Sequence, residues 1–389
     1  MCDRSQSNVL DVSETAVENG EYLMIKSFKT ENFRCFKKIE ISDLRRINVV
    51  VGKNAAGKTS LLEALKLGLD GTPNVVPWLD GIRGIPFIIP PNTTNDQFQG
   101  AFLDFFHDFD SQSTISTAAT DSADKTAHVR VCFDPSAAVT IQPSIGFKVP
   151  AGSGAITAPS NSPATTIVPL AFQRIDFKGQ HSTLFVTMNP NGQLQMQPGK
   201  PLGPVSGFFS GSASGGPQET AGWLSKLRVE KRDKTVVEAL RRHFPFINDV
   251  TPETMSMGLN MVFADIPTLP RKVPLSLVSG GINRLFTLIL AAVSFQGGVV
   301  LIDEVETGIY YEQYAEVWKT LYGLSVQCDT QLFISSHSNE CLKAMLPTMH
   351  EHEEDFRLLR ADKKNGISLI HSVDGKYFEA GLDEGFDHR

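Results

Sequence analysis

Nine consecutive residues, Gly52, Lys53, Asn54, Ala55, Ala56, Gly57, Lys58, Thr59 and Ser60, follow directly on an apolar run at 47–51. Glycines let the backbone wrap close to a ligand where a Cβ would obstruct the turn. Exposed N–H groups and the positive end of a following helix then favour bound phosphate. The spacing Gly52-x-x-x-x-Gly57-Lys58-Thr59, between a strand and a helix, is that of a nucleotide-phosphate loop. Lys58 adds a cation for the β- and γ-phosphates, and the Thr59 hydroxyl is placed to ligate Mg²⁺. The expected ligands are ATP and Mg²⁺.

Three later stretches supply what such a loop lacks. Val299, Val300, Leu301 and Ile302 form the unbroken apolar run of a strand buried on both faces. Asp303 and Glu304 stand at its exit, where acids are costly unless they meet a cation or a ligand. Asp303 is the expected holder of Mg²⁺, and Glu304 the general base for an attacking water. The plainer alternative is that one of these acids caps a helix. Ser335, Ser336, His337 and Ser338 follow another short apolar strand at 331–334. A histidine there can hydrogen-bond a terminal phosphate or the attacking water, so His337 joins Lys58 and Glu304 as a catalytic candidate. Alone, it would read as a structural histidine.

Ser279, Gly280 and Gly281 precede a strongly apolar helical stretch at 285–295. Small residues at a helix start make a second anion-binding geometry. One nucleotide does not need two such cradles, so the second is expected to serve the nucleotide of another copy. That predicts a homodimer, or a higher homo-oligomer, closed through its ATP sites.

The elements that must position these residues can be read in outline. Residues 1–21 read as a flexible tail, and strands are expected at 23–28, 38–41 and 47–51. The stretch 59–69 reads as a helix with Leu61, Leu62, Leu65 and Leu69 on one face. These elements make an N-terminal ATPase lobe over 22–110. Residues 111–216 are rich in Pro, Gly, Ser, Thr and Ala, with alternating stretches at 128–133, 166–175 and 183–188. They predict a β-rich, loop-rich insertion, with mobile loops near 111–125 and 203–216. A helical subdomain is expected over 217–270, and a C-terminal ATPase lobe alternating helix and buried strand over 271–389. In the stretch 218–244, Lys226, Arg228, Lys231, Arg232, Lys234, Arg241 and Arg242 could meet phosphates, though a solvated helix face is the blander reading.

With 389 residues the chain can bury a substantial core. A net charge of −7 argues against coating nucleic acid through bulk positive charge while leaving room for a local patch. The cysteines (Cys2, Cys35, Cys132, Cys328, Cys341) are scattered, as in reduced thiols rather than a disulfide or zinc framework. The polar N-terminus does not resemble a signal peptide, and the apolar run at 285–295 is too short to span a bilayer. A cytoplasmic protein without membrane contact is expected.

Taken in order, these stretches resemble the ABC-class ATPases of the SMC, RecF and OLD group, in particular the compact AAA-type ATPases encoded in prokaryotic genomes. Ile25-Lys26-Ser27-Phe28 and Asn32-Phe33-Arg34-Cys35-Phe36 are similar to the family's first strands. The segment from Leu301 to Tyr311 resembles its Walker B and D-loop, and that from Gln331 to Cys341 its switch-histidine segment. The likeness covers 23–70 and 220–389 and is poor between them. It implies an α/β fold: a P-loop NTPase head of ABC type with an antiparallel β-rich insertion and a helical subdomain. It also implies dimerisation on ATP, Ser279 reaching the γ-phosphate across the interface. Ile282 departs from the glutamine of transporter signatures, and Tyr310 from the aspartate or histidine of many D-loops. No Q-loop glutamine can be placed, Gln97 and Gln99 being weak matches. Charged heptads are absent, which argues against a long coiled-coil arm, and the residues after His337 leave no space for a TOPRIM nuclease.

The resemblance implies a sensor or regulatory switch in an anti-phage defence system, acting with a separate effector such as a nuclease. The alternatives are a RecF-like repair ATPase that contacts DNA, and an ATP-dependent scaffold with negligible turnover.

Overall fold

The computed structural model describes residues 24–90, 93–141, 164–189, 192–204, 206–210, 216–256, 258–364 and 366–383. The tail expected at 1–21, and residues 211–215 of an expected mobile loop, lie outside them. Apolar spacing sets the first strands. β1 (Ile25–Phe33) buries Ile25, Phe28 and Phe33, and β2 (Phe36–Ile41) buries Phe36, Ile39 and Ile41. β3 (Ile47–Val51) is buried at every residue and runs into the glycine loop. The loop opens α1 (Lys58–Asp70), which ends at Gly71 in a left-handed conformation, φ 62°. α2 (Val75–Ile82) and the short α3 (Asn95–Gly100) follow.

The middle of the chain is strand-rich, as its alternation predicts. It contains β4 (Ile115–Asp121), β5 (Thr126–Phe133), β6 (Val139–Ile141), β7 (Thr165–Ile167), β8 (Leu170–Ile175), β9 (His181–Met188), β10 (Leu194–Met196) and β11 (Ser206–Phe209). Two expectations are corrected here. The middle of the loop expected near 111–125 is β4, because Ile115, Thr117, Ala119 and Asp121 alternate inward. Nor does the sheet stand apart as an insertion. It is one seven-stranded sheet, ordered β10-β9-β8-β5-β4-β1-β2, that grows from the edge of β1. β11 leaves it and pairs parallel to a later strand.

That strand belongs to the C-terminal half. α4 (Pro217–Val229) and α5 (Asp233–His243) divide the expected single helical stretch, the break falling at Lys231 with φ 59°. The expected helical subdomain also contains strands: β12 (Asp249–Thr254) and β13 (Asn260–Asp265) form a hairpin joined by β14 (Val273–Pro274). Next come α6 (Leu275–Val278), α7 (Gly280–Ser294), β15 (Val299–Ile302), α8 (Tyr314–Gln327), β16 (Gln331–Ser335) and α9 (Asn339–Glu351). β17 (Phe356–Lys364), β18 (Ile367–Val373) and α10 (Gly375–Asp383) end the described chain. Among the described residues, no helix is long and apolar enough to cross a membrane. Cys35, Cys132, Cys328 and Cys341 are free thiols, and Cys2 lies outside the described residues.

A six-stranded sheet, β11-β15-β16-β3-β17-β18, is parallel except for its last pair. Alternate residues of its strands enter different cores. Val49, Val300 and Leu332 pack with α7, α8 and α9, while Val50, Leu301 and Phe333 pack with α1 and the antiparallel sheet. α1 lies between the two sheets and is buried well beyond the one leucine face expected, at Lys58, Ser60, Glu63, Ala64 and Gly68 as well. Gly68 is required there: a Cβ would sit 2.8 Å from the Phe28 ring.

Gln331 joins the sheets through its side chain. Its amide donates to the Ile25 and Arg45 carbonyls at 2.8 Å each and accepts from the Ile25 N–H at 2.9 Å. Replacing it by alanine removes the buried partners of the Ile25 N–H and carbonyl, each worth about 1–3 kcal/mol when unmatched, while the Arg45 carbonyl keeps the Asn48 amide at 2.6 Å. Gln331→Ala should lower unfolding stability by about 2–4 kcal/mol, read from urea denaturation.

Candidate functional site

The site starts where β3 ends. Gly52 has φ 143°, and a Cβ there would collide with the Ala361 carbonyl oxygen on β17. Gly57 has φ 112°, and its Cβ would press on the Phe36 ring at 2.9 Å. The loop between them is held tightly from both sides. Lys53, Asn54 and Ala55 face solvent, while Ala56 and Ser60 are buried. Lys58 is buried, and its Nζ donates to the Gly52 and Lys53 carbonyls at 2.7 and 3.1 Å. Burial lowers its pKa, against the opposing pull of Asp303, Glu306 and Glu304. The ammonium therefore sits inside its own loop, where acids gather.

Asp303, at the end of β15, is 6 % exposed. One carboxylate oxygen accepts from the Thr59 hydroxyl at 2.8 Å, and the other from the Ser335 hydroxyl at the end of β16. Ser335 Oγ in turn accepts from the Glu304 N–H at 2.9 Å. Glu304 sits in the left-handed region, φ 52°, which directs its side chain away from the strand. Its side chain is 46 % exposed, and among the described residues only the Thr307 hydroxyl hydrogen-bonds its carboxylate, at 3.3 Å. A helix-cap role for either acid does not fit these contacts.

His337 is close by but is held by another residue. Glu306 Oε1 lies 3.0 Å from His337 Nδ1 and accepts the His337 N–H at 2.9 Å, whereas Glu304 Oε1 lies 3.9 Å from Nδ1. Arg284, on α7, closes the floor. Its guanidinium donates to the carbonyls of Ser210, Asp303 and Glu304 at 2.9, 3.1 and 3.3 Å. Burial pushes its pKa down to about 10 despite the surrounding acids. The sequence reading assigned no role to Glu306, Arg284 or Ser335. The only signal was their placement two residues after Glu304, early in the helix after the Ser-Gly-Gly stretch, and at the head of the histidine segment.

The structure brings Lys58, Thr59, Asp303, Glu304 and His337 together. Ser279, Gly280 and Gly281 stand apart at the start of α7. Ser279 and Gly280 are exposed, and Ser279 Oγ makes no hydrogen bond among the described residues. Gly281 packs on the D-loop, where a Cβ would lie 2.6 Å from the Gly308 carbonyl oxygen. Ile282 turns into the core, and Tyr310 faces solvent. Gln97 is occupied in a capping box with Thr94 at the start of α3. Among the helical cations, Arg228 is bound to Asp249 and Arg232 to Glu230 and the Val293 carbonyl, while Lys234, Arg241 and Arg242 are exposed.

Two family models match this chain. Residues 24–199 match a family model described as an AAA ATPase domain. Residues 224–343 match a second, an AAA domain whose description also names the AbiEii toxin and a Type IV TA system. Between them the two matches take in the phosphate loop, Asp303, Glu304 and His337. Over both stretches the chain is similar to AAA-type ATPase domains. An "ATP/GTP phosphatase" of Helicobacter pylori is 22 % identical over 352 residues, covering 85 % of this chain and 90 % of that protein. A solved SMC head bound to the C-winged helix domain of ScpA is 12 % identical with a TM-score of 0.49, covering 91 % of this chain and 99 % of that one. The SMC head domain from Thermotoga maritima is 13 % identical with a TM-score of 0.41, covering 90 % and 99 %.

One further feature of this chain lies a turn beyond Thr59. Glu63, fully buried on α1, pairs with Arg34 at 2.9 Å and with Arg83 at 2.6 Å. Arg34, from the β1–β2 turn, also meets Asp104 at 3.4 Å. Asp80 is buried beside them, one carboxylate oxygen having no partner among the described residues. Burial first, and then Asp104, raises its pKa to about 6. A carboxyl with a raised folded-state pKa supports the fold below its unfolded value, and that support is lost as pH rises through about 6. Asp80→Asn should therefore be more stable than the wild type at pH 8 and lose that advantage by pH 4, as urea denaturation at the two pH values would read.

Proposed function

We propose that this chain binds ATP with Mg²⁺ and hydrolyses it to ADP and phosphate. The observation that carries this reading is the contact between the Thr59 hydroxyl and Asp303 at 2.8 Å, beside Lys58 and below the exposed Glu304 carboxylate. The loop suits phosphate because Gly52 and Gly57 leave open backbone where any Cβ would collide. Thr59 and Asp303 offer a hard oxygen pair that fits Mg²⁺. When bound, the ion neutralises charge on the phosphate oxygens.

The chain's residues then divide the work. Lys58 leaves its own loop carbonyls for the phosphate oxygens, exchanging weak acceptors for charged ones. Glu304 accepts a proton from the attacking water as the water oxygen bonds to the terminal phosphorus and the bridging oxygen departs with ADP. His337 supplies a hydrogen bond beside that reaction, and Asp303, fixed by Thr59 and Ser335, keeps the acidic strand end in register.

Two copies closing around two nucleotides completes the reading. Its support is the exposed Ser279 and Gly280, with Leu277, Tyr310 and Tyr311 exposed at 78, 57 and 58 % along the same α6–α7 and D-loop segments. Ser279 would meet the γ-phosphate held by the other copy. The output is assigned to a separate effector under this ATPase's control, in an anti-phage defence system. Support for that part is the family resemblance together with the toxin and TA system named by the second family model.

Glu304→Gln is the test. Hydrolysis should fall about 10²- to 10⁴-fold. ATP binding by calorimetry should persist, and ATP should shift the mass in solution from one copy to two. Undiminished turnover would remove Glu304 as the base. ATP-dependent association with no phosphate release by the wild type would favour a scaffold instead.

A further inference from the structure

His337 carries two nitrogens, and what it can do depends on which one holds the proton. In this structure Glu306 limits the choice. Its Oε1 lies 3.0 Å from Nδ1 and also takes the main-chain N–H of the same residue at 2.9 Å. One carboxylate oxygen thus accepts the main-chain hydrogen bond of residue 337 and stands in ion-pair contact with its ring. A carboxylate only accepts, so the ring nitrogen facing it must donate. Glu306 is 7 % exposed, and its other oxygen is buried without a partner among the described residues. Stability alone gives no reason to bury a carboxylate half matched.

Glu304 is the obvious rival partner, two residues away. Its nearer oxygen is 3.9 Å from Nδ1, beyond hydrogen-bond length, and its φ of 52° turns it off the line of the strand. The two acids are thus separated in role. One holds the histidine, and the other is left uncommitted toward solvent.

We propose that Glu306 is the positioning residue for His337: it keeps the proton on Nδ1 and presents Nε2 to the terminal phosphate or its attacking water. This deepens the hydrolytic reading and rests on it. A carboxylate behind a functional histidine fixes tautomer and ring orientation, and losing such a partner typically lowers activity about 10- to 100-fold. The same contact keeps His337 from drawing on Glu304.

The experiment uses the full chain labelled with ¹⁵N-histidine, the His337 imidazole signals being assigned by their loss in His337→Ala. In the wild type the proton should be on Nδ1; an unprotonated Nδ1 overturns the inference without any variant. In Glu306→Ala the proton should move to Nε2, kcat should fall about 10- to 100-fold, and KM for ATP should change little. Glu306→Gln retains an acceptor oxygen, so it should restore the Nδ1 proton and most of the rate. A Glu306→Gln rate as low as that of Glu306→Ala overturns the inference, as does a Glu306→Ala enzyme with wild-type tautomer and rate. Failure of the hydrolytic reading is separately visible, as wild-type turnover by Glu304→Gln, whereas the tautomer is read without turnover.

Discussion

Asp303 is a carboxylate at the mouth of a strand whose four preceding residues are fully buried. An acid in that place needs donors close at hand. It finds two hydroxyls, Thr59 from the start of α1 and Ser335 from the end of β16. Those contacts require β15 and β16 to lie parallel and in register, and β3 to deliver α1 over their ends. The sheet supplies this arrangement, pairing Ile302 with Ile334 and Ile334 with Val49. The rest of the molecule can be viewed as what keeps these three strand ends together.

Much of that support comes from buried polar groups. Gln331 and Asn48 hold the strand edges with side-chain amides, Arg284 ties the carbonyls of Asp303 and Glu304 to α7, and Glu63 gathers Arg34 and Arg83 against α1. Each of these groups would be costly alone and is stable because it is matched. The result is a site whose floor is rigid while Glu304 and His337 stay open to solvent. Arg284 also links the helix that begins at Gly280 to the backbone of Glu304. A change at the Ser-Gly-Gly end of α7 therefore has a short physical route to the acid proposed as base.

Two acids, Glu304 and Glu306, share one tight turn and meet different surroundings. The left-handed backbone at Glu304 lets neighbouring side chains diverge, one outward and one under the histidine. Ser279 and Gly280, by contrast, are exposed at the start of α7, and the Ser279 hydroxyl makes no hydrogen bond among the described residues.

The local motifs were legible in the sequence because they are written in residue type and short spacing. The Gly52–Gly57 loop, the buried strand before Asp303 and the helix after Gly280 each depend on neighbours within a few positions. So do the alternating strands, and those were found even where their sheet was misjudged. What sequence could not supply was long-range. The antiparallel strands prove continuous with β1, the helical stretch breaks at Lys231, and α1 is buried between two sheets instead of showing one leucine face. Ser335, Arg284 and Glu306 are ordinary polar residues until the fold joins them to partners 32, 19 and 31 positions away along the chain, Asp303 for Ser335 and Arg284 and His337 for Glu306. Residue type and spacing determined that phosphate chemistry was available. Tertiary packing alone decided which acid holds the histidine, because hydrogen bonds between distant strand ends leave no periodicity in the chain.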